Sequence, residues 1–386
     1  MHLSSRNLLL TPGPTPVPPA VAAAEAAPLP HHRSPEFRAA FDRVRVGLRQ
    51  VFRTSSEVLV FAASGTGAME SAFANLLSPG DPILVVSAGN FGERWVRVGE
   101  AYGARVEALR YAPGARPDPA EVAARIAGRD DLVAAFVVHS ETSTGATADV
   151  EAIAAACRER SAVLVVDAIS SLGAAPLETD AWDLDVVVAG SQKALMTPPG
   201  LAFASVSTRA LRRAESATSP RFYFDWRRAH DAQQKGQTPF TPAISLLQGL
   251  DVALAQIEAT GLEALHARTR ARGAGLRAAV RALGLELFSP DHEDCSLVTA
   301  VRWPEAVDGE AIRRALRDRH AITVAGGQGE LAGRIFRIGA FGAIEPRDLV
   351  AGLAALELEL LAAGHVVERG AGVGAFLRAA GADGQP

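Results

Sequence analysis

Seven short, mostly apolar runs punctuate the first half of the chain, at residues 58–62, 83–87, 105–109, 132–139, 162–167, 185–189 and 201–206. They show little of the apolar–polar alternation of a strand with one wet face, so they read as strands buried on both sides. Longer segments between them repeat apolar residues every three to four positions, as helices with one buried face do. Strands and helices alternating in this way predict an α/β fold of βαβ units around a mainly parallel sheet.

Outside that region the pattern changes. The opening Leu8-Leu9-Leu10-Thr11-Pro12-Gly13-Pro14-Thr15-Pro16 is extended and turn-rich, because its prolines fix φ and lack N–H donors. Residues 207–245 are polar and proline-containing and read as a loop-rich crossing. A helix over 244–259 leads into a second region, with a helix at 268–283 and strands at 297–301 and 334–339. The 386 residues exceed the roughly 250–300 that one core supports. They divide into an N-terminal extended segment (1–15), a large domain (16–250), a smaller α+β C-terminal domain (251–364) and a Gly- and Ala-rich tail (365–386), in which 373–379 is suited to a short helix.

Charge and cysteine content narrow the function. With 39 Lys and Arg against 43 Asp and Glu, the net charge is −4, and no broad positive field is available for nucleic acid. No uncharged apolar stretch nears the about 20 residues that cross a bilayer, and residues 1–6 carry no apolar leader, which points to the cytoplasm. Cys157 and Cys295 are the only cysteines, too few for a disulfide framework or an all-cysteine metal site, and no metal is expected.

Lysine usage is more pointed. Lys193 and Lys235 are the only lysines, and the other 37 of the 39 basic residues are arginine. Arginine replaces lysine wherever charge alone is needed, but it cannot deprotonate to act as a nucleophile. Lys235 lies in the polar Ala232-Gln233-Gln234-Lys235-Gly236, whereas Lys193 follows the apolar run of Val186-Val187-Val188-Ala189-Gly190-Ser191-Gln192-Lys193. Desolvation beside such a strand lowers an amine's pKa and frees it to form a Schiff base.

Other strand ends carry further candidates, each with a plainer alternative. Asp167 ends the run Ala162-Val163-Leu164-Val165-Val166-Asp167, placed either to pair with a cationic ring nitrogen or to cap a helix. Ala63-Ser64-Gly65-Thr66-Gly67-Ala68-Met69-Glu70 opens a helix and forms an anion cup or a simple turn. It lacks the third glycine of a dinucleotide fingerprint and the Lys-Ser/Thr of a P-loop. His139-Ser140-Glu141-Thr142-Ser143-Thr144-Gly145 offers hydroxyls for a ring substituent or phosphate, or for turn and cap duty. Phe91, in Asn90-Phe91-Gly92-Glu93-Arg94-Trp95, either lies flat on a planar ligand or fills the core. Arg337 interrupts the apolar Arg334-Ile335-Phe336-Arg337-Ile338-Gly339 and needs an anion, either a substrate carboxylate or an internal acid. Together these residues supply the five elements pyridoxal phosphate requires: an anion cup, a flat contact, an acid for its ring nitrogen, a lysine for its aldehyde and an arginine for the substrate.

On these motifs the chain resembles the class V, fold type I PLP-dependent aminotransferases, nearest the alanine-glyoxylate and serine-pyruvate group. The resemblance runs from Leu10-Thr11-Pro12-Gly13-Pro14 through His32-Arg33-Ser34-Pro35-Glu36-Phe37, the cup, the His139 loop, the segments around Asp167 and Lys193, Gln237-Thr238-Pro239-Phe240-Thr241 and Phe336-Arg337-Ile338-Gly339, to about residue 360. It implies a transaminase moving an amino group from a small amino acid, alanine or serine, to glyoxylate or pyruvate by ping-pong kinetics. Ureidoglycine-glyoxylate, aspartate and 2-aminoethylphosphonate transaminases share the fold and are the alternatives. By resemblance, Lys193 links to the cofactor aldehyde, Asp167 pairs with the ring nitrogen, Gly65, Thr66, Gly67 and Gln192 hold phosphate, Thr142 meets the ring hydroxyl, Phe91 stacks and Arg337 binds the substrate. Gln237, Thr238 and Thr241 would complete the site of a neighbouring subunit in a homodimer. Two positions depart from the family: the stacking residue is often tryptophan, and a partner tyrosine is here Gln237. A cysteine desulfurase would need a loop cysteine, whereas Cys157 lies in the helical run 154–159 and Cys295 in the second domain. An NAD-dependent dehydrogenase with an atypical loop, or a non-catalytic binding module, would fit the βαβ pattern without a task for Lys193.

Overall fold

The seven runs become the seven strands of one central sheet in the computed structural model, which describes residues 7–127, 129–157 and 162–381. Residues 1–6, 158–159 of the run expected around Cys157, and 382–386 of the tail lie outside the described residues. The strands are β1 (Val58–Phe61), β2 (Pro82–Ser87), β3 (Arg105–Arg110), β4 (Ala134–Val138), β5 (Val163–Asp167), β6 (Val186–Gly190) and β7 (Ala202–Val206), in the spatial order β1-β7-β6-β5-β4-β2-β3. Only β7 runs antiparallel to its neighbours. Six strands are buried along their whole length, which explains their lack of alternation. The exception is β3, an edge strand whose Arg105 and Arg110 are exposed, so the expectation of two buried faces fails there. The run at 132–139 is also shorter than expected, because the chain turns after β4 into a small hairpin pairing Ser140–Glu141 with Ala146–Thr147.

Helices cover both faces. One core joins Phe41, Leu48 and Phe203 with Leu250 and Leu254, and the other joins Phe73, Trp95 and Phe136. The helix Ile244–Thr260 crosses residue 250 unbroken and buries Leu247, Leu250, Leu254 and Ile257 in the first core, against which Leu262 and Leu265 also pack. The expected loop-rich crossing instead contains helices Thr208–Ser216 and Trp226–Gln233. Their caps are visible in the sequence: Ser207 Oγ accepts from the Ala210 amide and Asp225 from the Arg228 amide.

The smaller unit has its own core and a three-stranded antiparallel sheet of β8 (Val298–Arg302), β9 (Ala325–Gly326) and β10 (Ile335–Gly339), with β10 in the middle. The helix expected at 268–283 begins earlier, at Leu262, and ends at Ala282. In the tail, helix Ala371–Ala380 sets a fully buried Phe376 against Gly275 of that helix. The N-terminal segment contacts both units: Leu8–Leu9 pairs in parallel with Ile322–Thr323, and the Thr15 amide donates to the Gln192 carbonyl at 3.1 Å. Among the described residues no helix is long and apolar enough to cross a membrane.

Candidate active site

Ligands of open α/β sheets gather beyond the carboxyl ends of the strands, and adjacent β5 and β6 end in Asp167 and in the turn that carries Lys193. That turn is held internally: Ser191 Oγ donates to the Pro198 carbonyl at 2.6 Å, and the Met196 amide donates to the Lys193 carbonyl at 3.0 Å. Lys193 is only 8% exposed. Its Nζ donates to the Pro12 carbonyl at 2.6 Å, so the N-terminal segment crosses directly over the amine. Gly13 makes the crossing possible: at φ +120, a Cβ there would lie 2.4 Å from Lys193 Nζ. Burial pulls the Lys193 pKa down to about 8, helped by Arg337 and Arg94 and opposed by Asp167. Lys235, by contrast, is exposed.

Asp167 is 4% exposed. Its Oδ2 accepts from Trp95 Nε1 at 3.0 Å and its Oδ1 from the Ile169 amide at 2.9 Å. Burial nevertheless pushes its pKa up to about 6. Both hydrogen-bond donors are neutral, so the carboxylate has no cation within ion-pair distance among the described residues.

Trp95 belongs to helix Asn90–Ala101, whose first turn carries Phe91. Spacings of three and four residues put Phe91, Arg94 and Trp95 on one side of the helix. Buried Glu141 fixes the start of that helix, its Oε2 accepting from the amides of Phe91 and Gly92 at 3.0 Å each. Anions are favoured at this end of a helix.

The cup forms as expected at the start of helix Gly65–Leu76. Ser64 makes no side-chain cap, and the Gly67 amide closes onto the Ser64 carbonyl at 2.8 Å. Gly67 thus has no free donor; the open amides are those of Gly65 and Thr66. Gln192 runs alongside, since a Cβ on Gly190 would meet Gln192 Oε1 at 3.0 Å and Gly65 Cα at 3.6 Å. That Oε1 is buried and has no hydrogen-bond partner. The unpaired amides of Gly65 and Thr66 at the helix start fit an anion, whereas Gln192 Oε1 is an acceptor that needs a donor.

Arg337, in the centre of β10, is 5% exposed. Nε and Nη2 donate to the Gly326 carbonyl at 2.9 and 2.7 Å, and Nη1 to the Thr142 carbonyl at 2.8 Å. The internal salt bridge weighed for it is absent among the described residues. Three of its five N–H groups are used, which leaves one on each terminal nitrogen, the pair that grips a carboxylate. Thr142 thus enters through its backbone carbonyl.

Gln237, Thr238 and Thr241 are not brought to Lys193 within one chain. Gln237 Oε1 accepts from Arg33 Nη1 at 2.8 Å, Thr238 Oγ1 donates to the Phe240 carbonyl at 2.6 Å, and Thr241 is exposed. Sequence reasoning missed Pro12, Trp95, Arg94 and the capping role of Glu141. Only the helical spacing from Phe91 could have flagged Arg94 and Trp95.

The model of the aminotransferase class-V family matches residues 9–333. The chain is 41% identical to the soluble hydrogenase 42 kDa subunit of Anabaena cylindrica, over 97% of this chain and 99% of that one. It is 35% identical to the serine–glyoxylate aminotransferase of Methylorubrum extorquens, over 96% and 95%. The crystal structure of ureidoglycine-glyoxylate aminotransferase from Bacillus subtilis superimposes with a TM-score of 0.92 at 29% identity, covering 98% of this chain and 99% of that one. The chain belongs to the class-V aminotransferases and is an aminotransferase of the fold type I architecture.

Proposed function

We propose that this aminotransferase carries pyridoxal phosphate and moves the amino group of a small amino acid, alanine or serine, to glyoxylate or pyruvate. One observation carries the reading: Lys193 lies within electrostatic reach of a buried carboxylate whose hydrogen-bond donors are neutral and of a buried guanidinium bonded only to carbonyls. A cofactor with a cationic ring nitrogen answers the first, and a substrate carboxylate the second. The open amides of Gly65 and Thr66 at the helix start suit its phosphate.

Bound there, pyridoxal phosphate supplies an electron-withdrawing ring and an aldehyde carbon that holds the amino group between two half-reactions. Lys193 would supply the amine that links to that aldehyde and, as a free amine, would hold or move the proton at the substrate α-carbon. Its pKa near 8 keeps a useful share of neutral amine at neutral pH. Trp95 and Ile169 hold Asp167 with one lone pair of each oxygen spare for the ring nitrogen. Phe91 would cover the ring, and Arg337 would hold the substrate carboxylate.

The name of the Anabaena relative points to a chemistry in which Lys193, Asp167 and Arg337 have no evident task, whereas transamination uses all three. Gln237, Thr238 and Thr241, remote from their own Lys193, support a homodimer in which each chain lends them to the other's site. The low cysteine count supports work in the cytoplasm. The test is a donor panel. Protein loaded with pyridoxal phosphate is given alanine, serine or aspartate alone, then glyoxylate. Stoichiometric keto acid from alanine or serine in the first step and glycine in the second is expected; no keto acid from any donor would refute the reading.

A further inference from the structure

Arg94 is a cation without a counter-ion. Its Nη1 donates to Thr66 Oγ1 at 3.2 Å, and its guanidinium lies over the Phe91 ring, 4.8 Å from the centroid. Among the described residues it meets no carboxylate at ion-pair distance, although it is half-buried. Thr66 is also the residue whose amide stands open at the cup. The cup contains no lysine, and its open amides, those of Gly65 and Thr66, are neutral. A phosphate held there carries up to two negative charges, more than neutral N–H dipoles offset in a half-buried site. Of the cations around the site, Lys193 is needed for the aldehyde, and Arg337 is anchored to the carbonyls of Gly326, in the smaller unit, and Thr142. Arg94 is the one left at the phosphate end.

We propose that Arg94 is a cofactor-binding residue that provides the positive charge for the phosphate, its contact with Thr66 giving way to or being shared with a phosphate oxygen. This rests on the pyridoxal phosphate reading and adds a charged ligand to it. The same guanidinium presses on Phe91, so one residue ties the phosphate to the ring cover.

The two effects separate by comparing pyridoxal phosphate with pyridoxal, which has the ring and aldehyde but no phosphate. Each is titrated into apoprotein of the wild type, Arg94→Gln and Arg94→Lys, and binding is read by the visible absorbance of the Lys193 adduct. A lost charge-assisted hydrogen bond of this kind weakens binding by about 10- to 100-fold. Arg94→Gln is expected to weaken pyridoxal phosphate by that factor and pyridoxal by less than about threefold, with Arg94→Lys recovering most of the loss by restoring charge. Equal weakening of both ligands would show that Arg94 acts only through Phe91 and would overturn the proposal, as would undiminished phosphate-ligand binding in Arg94→Gln. Pyridoxal binding in the variant also reports that it is folded. A wild type that binds neither ligand would instead sink the cofactor reading itself.

Discussion

Asp167 and Arg337 are both buried charges on β-strands, yet the two sheets treat them differently. Asp167 stands at the end of a parallel strand, where a backbone amide and an indole N–H support its charge. Arg337 stands in the middle of an antiparallel strand, where two carbonyls take three of its N–H groups. Asp167 meets donors from helix Asn90–Ala101 and the turn after β5, and Arg337 meets acceptors from β9 and from Thr142. Neither has an ion-pair partner in direct contact among the described residues, although Lys193 acts on Asp167 and Glu141 on Arg337 at longer range. Burial therefore drives Asp167 up to about 6 and Arg337 downward from its ordinary value. Folding positions both groups at a cost that a ligand with a positive ring nitrogen and a negative carboxylate would repay.

Substitutions test the two halves separately. Asp167→Asn keeps the shape and removes the charge at the ring nitrogen, and loss of such electrostatic support costs about 10²–10³-fold in rate; single-turnover kinetics with alanine should show that loss. Arg337→Met should retain cofactor colour while raising KM for the amino acid by about 10²-fold, and Arg337→Lys should recover little of it because an ammonium lacks the planar fork. Unchanged KM in Arg337→Met would assign the carboxylate to another group.

Stability sharpens the contrast. Because the folded Asp167 pKa lies above its ordinary 3.8, its ionised form is disfavoured in the fold. The penalty is absent below pH 4, grows as pH rises, and is complete above about pH 6, where it amounts to about 2–3 kcal/mol. Apoprotein carrying Asp167→Asn should thus melt higher than wild type at pH 8, with the gap closing toward pH 4; denaturation at both pH values measures it. Lys193 gives the smallest effect. With its pKa near 8, the neutral amine, and so the rate at which apoprotein captures pyridoxal phosphate, should rise about tenfold per unit below pH 8 and level off above it.

How much could be read from the chain alone follows the same physics. Strands β1, β2 and β4 to β7 were legible because complete burial leaves an unbroken apolar run. Helices Thr208–Ser216 and Trp226–Gln233 were not, since most of their residues are polar and only Ser207 and Asp225 mark their starts. In the site, Lys193, Asp167 and Arg337 were legible as charges in or beside apolar strands. Pro12 acts through a carbonyl, which any residue possesses, so its type carries no signal. Trp95 reads as core, and its indole N–H becomes meaningful only once β5 sets Asp167 beside it. Glu141 lies inside a hydroxyl-rich loop that drew notice for its hydroxyls, while its carboxylate caps a helix that begins 51 residues earlier, at Asn90.

The central claim is that two buried charges, neither in a direct ion pair, lie within electrostatic reach of one reactive amine. The most direct test is the visible spectrum of protein supplied with pyridoxal phosphate, before and after alanine, for the wild type, Lys193→Ala and Arg337→Met. A yellow band in the wild type that alanine bleaches and glyoxylate restores, no such band in Lys193→Ala, and a band in Arg337→Met that bleaches only at far higher alanine concentration are predicted. A colourless wild type, or a band that survives Lys193→Ala, would contradict the account.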